Sequence, residues 1–147
     1  MTIARFATIA AATAMMASTL LIATEASASD RTRYRCKATG ASDISMSAVY
    51  LIRSSTGRRK FSAEFEAAGN LGFISGARVN VEVQGVAVGS AVLEPVTGGD
   101  LVADLNFDTR PQIDSLPFPG NWPNGVGKGT EVKILSGTTT VLGCTMN

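Results

Sequence analysis

Apolar residues recur at every second position through most of this chain, and this spacing constrains its fold more than any other feature. Residues 78–84 show it most clearly, because Val79, Val81 and Val83 alternate with polar or charged residues. Successive side chains of a β-strand point to opposite faces, so the alternation predicts strands with one buried face. The same pattern covers residues 33–38, 44–53, 58–67, 101–107, 130–136 and 140–144. Residues 44–53 would also accept a short helix.

Turn residues separate these segments, and no strong amphipathic helix interrupts them. Ser54-Ser55-Thr56-Gly57 and Thr97-Gly98-Gly99-Asp100 each predict a hairpin connection. Gly85 and Gly89 predict a bulge or tight bend between residues 86 and 96. About seven short strands indicate an all-β fold, a small antiparallel β-sandwich of immunoglobulin-like type. The Cys, Trp, Cys spacing of antibody domains is absent, because the only tryptophan lies in a loop.

The first 28 residues have the plan of a secretory signal peptide. Arg5 precedes an Ala-rich apolar run, and Ala26-Ser27-Ala28 resembles a cleavage site. About 20 strongly apolar residues are needed to span a bilayer, and Ala, Thr and Ser dilute this run. We therefore expect removal of residues 1–28, no stable membrane span afterwards, and one domain at 29–147 in a secreted or periplasmic protein.

The two cysteines, Cys36 and Cys144, predict a single disulfide. Exported compartments oxidise such pairs, and two cysteines allow only one pairing. Because Cys36 lies near the start of the domain and Cys144 near its end, the bridge is expected to join the terminal strands.

Several kinds of chemistry are excluded by what the chain lacks. It has no histidine, so Ser-His-Asp and Cys-His catalysis and imidazole zinc sites are ruled out. Its net charge of +1 argues against a nucleic-acid binder. Glu64 and Glu66 lie two residues apart on one strand face, at about 7 Å, which fits an inverting glycosidase. A solvated strand surface shared with Lys60 explains the same residues, so an enzyme is not the favoured interpretation.

The charges are unevenly placed along the chain. Residues 30–60 contain eight basic and two acidic residues, whereas residues 61–147 contain four basic and nine acidic ones. One interpretation is that basic strands pair with acidic neighbours. The other is a basic patch that binds a polyanion such as an envelope polysaccharide or a lipid headgroup.

Asp104-Leu105-Asn106-Phe107-Asp108 begins like a calcium loop. Its sixth position is Thr109 and its twelfth is Ser115, where the loop requires glycine and glutamate. A calcium site at this strand end, completed by Asp114, is the only cofactor hypothesis, and strand alternation explains the same residues.

The long segment 109–129 contains four of the five prolines together with Phe118, Asn121 and Trp122. Long loops in compact domains are often binding loops, and exposed aromatic rings can stack on sugars or anchor a protein. Phe118, Asn121 and Trp122 are the candidate ligand-binding residues. The alternative is that Phe118 and Trp122 fold down and cap the sandwich.

These features favour an exported, noncatalytic binding module whose partner is a polysaccharide or an envelope protein. The first alternative is a structural envelope protein that assembles with copies of itself. The second is a hydrolase that uses Glu64 and Glu66 or Asp104 and Asp108.

Overall fold

A computed structural model describes residues 30–147, so the predicted signal peptide, 1–28, lies outside the described residues. The described chain forms nine β-strands and no helix. They are β1 (Arg31–Thr39), β2 (Ile44–Arg53), β3 (Arg58–Ala67), β4 (Arg78–Val83), β5 (Val86–Val92), β6 (Glu94–Pro95), β7 (Leu101–Asp108), β8 (Glu131–Ser136) and β9 (Thr139–Thr145).

The strands form two antiparallel sheets. Sheet A has the order β1-β2-β3-β7-β6, and sheet B has the order β5-β4-β8-β9. The predicted all-β sandwich is confirmed, and Ile44–Arg53 is a strand instead of a helix. The likeness to immunoglobulin domains is one of architecture, because β1, β2 and β3 lie side by side in sheet A and immunoglobulin strands follow another order.

The core lies between the sheets and follows the period-two pattern. Phe61 and Phe65 point inward from sheet A, and Val79, Val81 and Val83 point inward from sheet B. Burying one such side chain stabilises the fold by about 1.5–3 kcal/mol. Gly89 lets the sheets approach closely, since a Cβ there would lie 3.1 Å from a Leu105 methyl carbon.

The chain changes sheets between β5 and β6. The Leu93 N–H donates to the Ala77 carbonyl at 2.8 Å, which continues sheet B. The next residue, Glu94, pairs with Val102 in sheet A. The expected irregularity is also present, because the β4–β5 register shifts after Val81. Residues 86–95 therefore supply β5 to sheet B and β6 to sheet A. This division accounts in part for nine strands where about seven were expected.

The disulfide holds the opposite edge together. Cys36 on β1 is bonded to Cys144 on β9, with their Cα atoms 5.7 Å apart. Beside it, Arg35 and Asn147 exchange two backbone hydrogen bonds, of 3.1 and 3.4 Å. The predicted disulfide between terminal strands is therefore confirmed, and it joins an edge strand of each sheet.

Within residues 30–147, no helix has the length and apolar character needed to cross a membrane.

Candidate functional site

Seven basic side chains share the outer face of sheet A, and we call this set the basic face. Odd-numbered residues of β1 point outward because Cys36 points into the core. The β1–β2 and β2–β3 registers then bring basic residues of three strands to the same face. The set consists of Arg31, Arg33, Arg35, Lys37, Arg53, Arg58 and Lys60.

Three arginines meet at one end of the basic face. Arg31 lies directly opposite Arg53, and Arg53 lies directly opposite Arg58. Opposite residues on adjacent strands have Cβ atoms about 4.5–5.5 Å apart, so like charges there repel each other. This row is a concentrated positive charge at the sheet surface.

Asp108 neutralises part of that charge at the boundary between β3 and β7. Its buried carboxylate accepts hydrogen bonds of 3.0 and 2.6 Å from Arg58 and lies 3.2 Å from the Lys60 amine. The Arg110 backbone N–H donates to it at 2.9 Å. Arg58 above all holds the pKa of Asp108 well below its usual range, against the opposing effect of burial. The same hydrogen bonds raise the pKa of Arg58.

Acidic strands neutralise only part of the basic face. Arg58 and Lys60 pair with Asp108, and elsewhere Lys133 pairs with Glu131. The interpretation that basic strands pair with acidic neighbours therefore holds at Asp108. Across residues 30–147, the side chains of Arg33, Arg35 and Lys37 have no such ion pair, and they are exposed.

Phe118 and Trp122 pack down onto the sandwich. Both are half-buried, and together with Tyr50, Phe61 and Phe107 they form what we call the aromatic cluster. Ring centroids lie 4.8 Å apart between Phe118 and Trp122, and 4.9 Å apart between Phe61 and Trp122. These contacts agree with the capping interpretation of the loop.

Arg59 and Asn121 hold the loop from outside the aromatic cluster. The guanidinium carbon of Arg59 lies 5.1 Å from the centre of the Phe118 ring, which is a cation–π contact. The exposed Asn121 amide donates a 2.9 Å hydrogen bond to the Ala87 carbonyl and so ties the loop to β5. Among the described residues, the buried Trp122 Nε1–H has no acceptor.

The predicted calcium residues do not converge. Asp104 and Asp108 both belong to β7, four residues apart, which corresponds to about 13 Å along a strand. Asp108 is held by Arg58 and Lys60, and Asp114 lies in the loop that follows β7. No three acidic or cysteine side chains of residues 30–147 form a group suited to a metal ion.

Glu64 and Glu66 lie on the outer face of β3, as expected. Glu64 faces Ser47 on one side and Asp104 on the other. Neither glutamate lines the cavity of about 460 Å³ or the cavity of about 370 Å³. The pair lies on the outer surface of β3.

The larger cavity was missed from the sequence. It lies between β5 and β7, and residues 113–116 also line it. The only sequence signal for this cavity is Ile113, an apolar residue amid prolines and polar residues. Its side chain is 98% exposed at the rim of the cavity.

No protein-family model matches this chain, and searches of curated proteins and of solved structures also find no match.

Proposed function

We propose that this protein is an exported, noncatalytic binding module whose basic face contacts an anionic polysaccharide. The observation that carries the proposal is the run of Arg33, Arg35 and Lys37 at alternate positions of β1, which are exposed and form no ion pair within residues 30–147. Positive charges gathered on one surface attract an anionic ligand.

The dimensions of the basic face favour an extended ligand. Alternate residues of β1 carry Arg31, Arg33, Arg35 and Lys37, which gives a charge about every 7 Å over about 20 Å. Repeated, regularly spaced cations match a chain with repeated anionic groups better than a single small anion. Arginine also binds carboxylate and sulfate-like groups through paired hydrogen bonds.

The disulfide supports the exported part of the proposal. Such bonds form and persist in oxidising compartments, and the Cys36–Cys144 bond joins the two sheets. We therefore place the mature protein in a secreted or periplasmic location.

In this proposal the loop that contains Phe118 and Trp122 caps the fold. Four ring contacts occupy Trp122, with Tyr50, Phe61, Phe107 and Phe118. Since the aromatic cluster uses these rings, stacking on a sugar would require them to separate from the core.

Binding of heparin, used as a sulfated model polysaccharide, tests the proposal. The measurement is isothermal titration calorimetry on residues 29–147 at several salt concentrations. We expect affinity to fall as salt rises, because salt screens exposed charges. The double variant Arg33→Gln/Arg35→Gln should bind at least tenfold more weakly than the parent.

Arg78→Gln/Lys128→Gln is the matched control, because it removes two exposed charges outside the basic face. Equal weakening by both double variants would contradict the proposal, since binding would then follow net charge alone. Binding to vesicles with anionic lipid, together with no binding to heparin, would assign the basic face to a lipid surface instead.

Self-assembly is the second candidate, favoured by the opposite charge at the other end of the same sheet face. There Glu64 lies directly opposite Asp104 on β7. Analytical ultracentrifugation of the parent protein at low and high salt tests this candidate. Larger species that dissociate as salt rises would support it, and a monomer at all salt concentrations would contradict it.

A further inference from the structure

The cavity of about 460 Å³ is a notch between β5 and β7. It opens where the chain passes from β5 in sheet B to β6 in sheet A. At one end, Glu94 of β6 pairs with Val102. At the other end, the Leu116 N–H donates to the Asn106 carbonyl at 2.8 Å, and Leu116 accepts from the Asp108 N–H at 2.9 Å. Between these points β7 has no strand beside it on this edge.

Backbone groups of β7 point into the notch. The Asp100 carbonyl accepts a hydrogen bond from Val96, and Asn106 and Asp108 bond to Leu116, all on this edge. Peptide groups of alternate residues in a strand point to the same side, so the N–H and C=O of Asp104 point there too. Within residues 30–147, neither group forms a backbone hydrogen bond on this edge.

The opposite wall also offers backbone groups. Leu93 directs its peptide hydrogen bonds toward Ala77 and Gly76, which come just before β4. By the same alternation, the peptide groups of Val92 and Ser90 face the notch. Free peptide groups on both walls of one gap can hydrogen-bond to an extended peptide, which supplies both donors and acceptors.

The side chains around the notch define the chemistry of that peptide. Val96, Ile113 and Leu116 are exposed apolar residues on its walls, with Ile113 98% exposed. Three carboxylates and one guanidinium also line it, so its charge is negative. The charged residues are Glu94, Asp104, Asp114 and Arg78.

We propose that the notch binds an extended, cationic segment of a partner protein, which hydrogen-bonds to the free peptide groups of Asp104 and places apolar side chains against Val96 and Ile113. Charge complementarity with the three carboxylates selects a cationic segment. The unpaired peptide groups select a polypeptide over a polysaccharide. This site is separate from the basic face, and it stands whether or not that face binds a polyanion.

A synthetic hexapeptide of alternating valine and lysine, carrying a fluorescent label, tests the proposal. Fluorescence polarisation measures its affinity, and amide hydrogen exchange by NMR follows the Asp104 N–H. We expect saturable binding and at least tenfold slower exchange at Asp104. Heparin should not compete, which separates this test from that of the basic face.

Two controls identify the mode of binding. A peptide that is N-methylated at alternate residues lacks the N–H donors of one edge and should lose most of the affinity. Asp104→Asn/Asp114→Asn should weaken binding about fivefold or more, whereas Asp43→Asn, in an exposed turn that does not line the notch, should leave it unchanged.

The result that overturns the proposal is unchanged exchange at Asp104 with saturating peptide, or equal binding of the N-methylated peptide. Protection of Asp104 that instead grows with protein concentration alone, and that the peptide does not displace, would assign the notch to a second copy and also overturn it.

Discussion

Removal of the disulfide should cost this domain at least about a third of its stability. The bond closes a loop with a sequence separation of 108 residues. In the chain-entropy account, cross-linking a loop of that length lowers the entropy of the unfolded chain enough to stabilise the native state by about 4.8 kcal/mol at 25 °C. Domains of this kind have a net stability of only about 5–15 kcal/mol. The loss is therefore about a third of the highest value in that range and nearly all of the lowest.

The test is the double variant Cys36→Ala/Cys144→Ala. Guanidinium unfolding, followed by Trp122 emission and by circular dichroism, measures the free energy of unfolding. We expect a loss of about 5 kcal/mol, because the small voids left by two buried sulfurs add to the entropic term. The denaturant dependence should also steepen, since an unfolded chain without the cross-link exposes more surface. The parent protein after chemical reduction is the control and should show a similar loss.

A loss below about 1 kcal/mol, with an unchanged denaturant dependence, would refute this reasoning. It would mean that the two edge strands stay together in the unfolded ensemble, or that local contacts hold them. The two backbone hydrogen bonds between Arg35 and Asn147 would then hold this edge of the sandwich together.

Three further predictions concern single positions. Asp108→Asn should lower stability at pH 7 by about 2 kcal/mol, as expected for a charge-assisted hydrogen-bond pair. Because folding lowers the pKa of Asp108, its contribution is present above the unfolded pKa of about 3.9 and is lost as pH falls. Denaturant titrations of both proteins should converge toward pH 2, and a difference that is constant with pH would contradict this. Trp122 packs on four rings, so its emission should be blue-shifted and protected from acrylamide. Trp122→Ala should then cost about 2–3 kcal/mol in urea unfolding, below the full-burial range because the ring is half-buried, and a red-shifted, readily quenched emission would contradict the capping role. Gly89→Val should destabilise by about 1–3 kcal/mol through overpacking, because its Cβ would meet Leu105 and Phe107; an unchanged thermal midpoint would show that the sheets can separate locally.

Local patterns account for the parts of this fold that the sequence predicts. The alternation of Val79, Val81 and Val83 is a property of consecutive residues, and it identifies β4 and its inward face without knowledge of any partner. The disulfide is equally determined, because Cys36 and Cys144 have no other cysteine to bond with. The strands 44–53 and 58–67 were expected with the bounds that the structure shows.

Pairing between distant strands decided the rest. The sequence shows eight basic residues in 30–60, but only the register across β1, β2 and β3 sets Arg31, Arg53 and Arg58 side by side. Asp108 was expected to be a calcium candidate, and its burial against Arg58 depends on a contact between residues 50 positions apart. The sequence alone leaves open whether Trp122 faces solvent or the core, because that depends on how the two sheets pack beneath it.

The notch depends on tertiary structure most of all. It exists because one strand bends at Leu93 and leaves the Asp104 peptide group without a neighbour. Alternation along a chain reports which side of a strand is buried, since that depends on each residue and its neighbours in sequence. It carries no information on which strand lies beside another, because the same backbone hydrogen bonds form between any two strands.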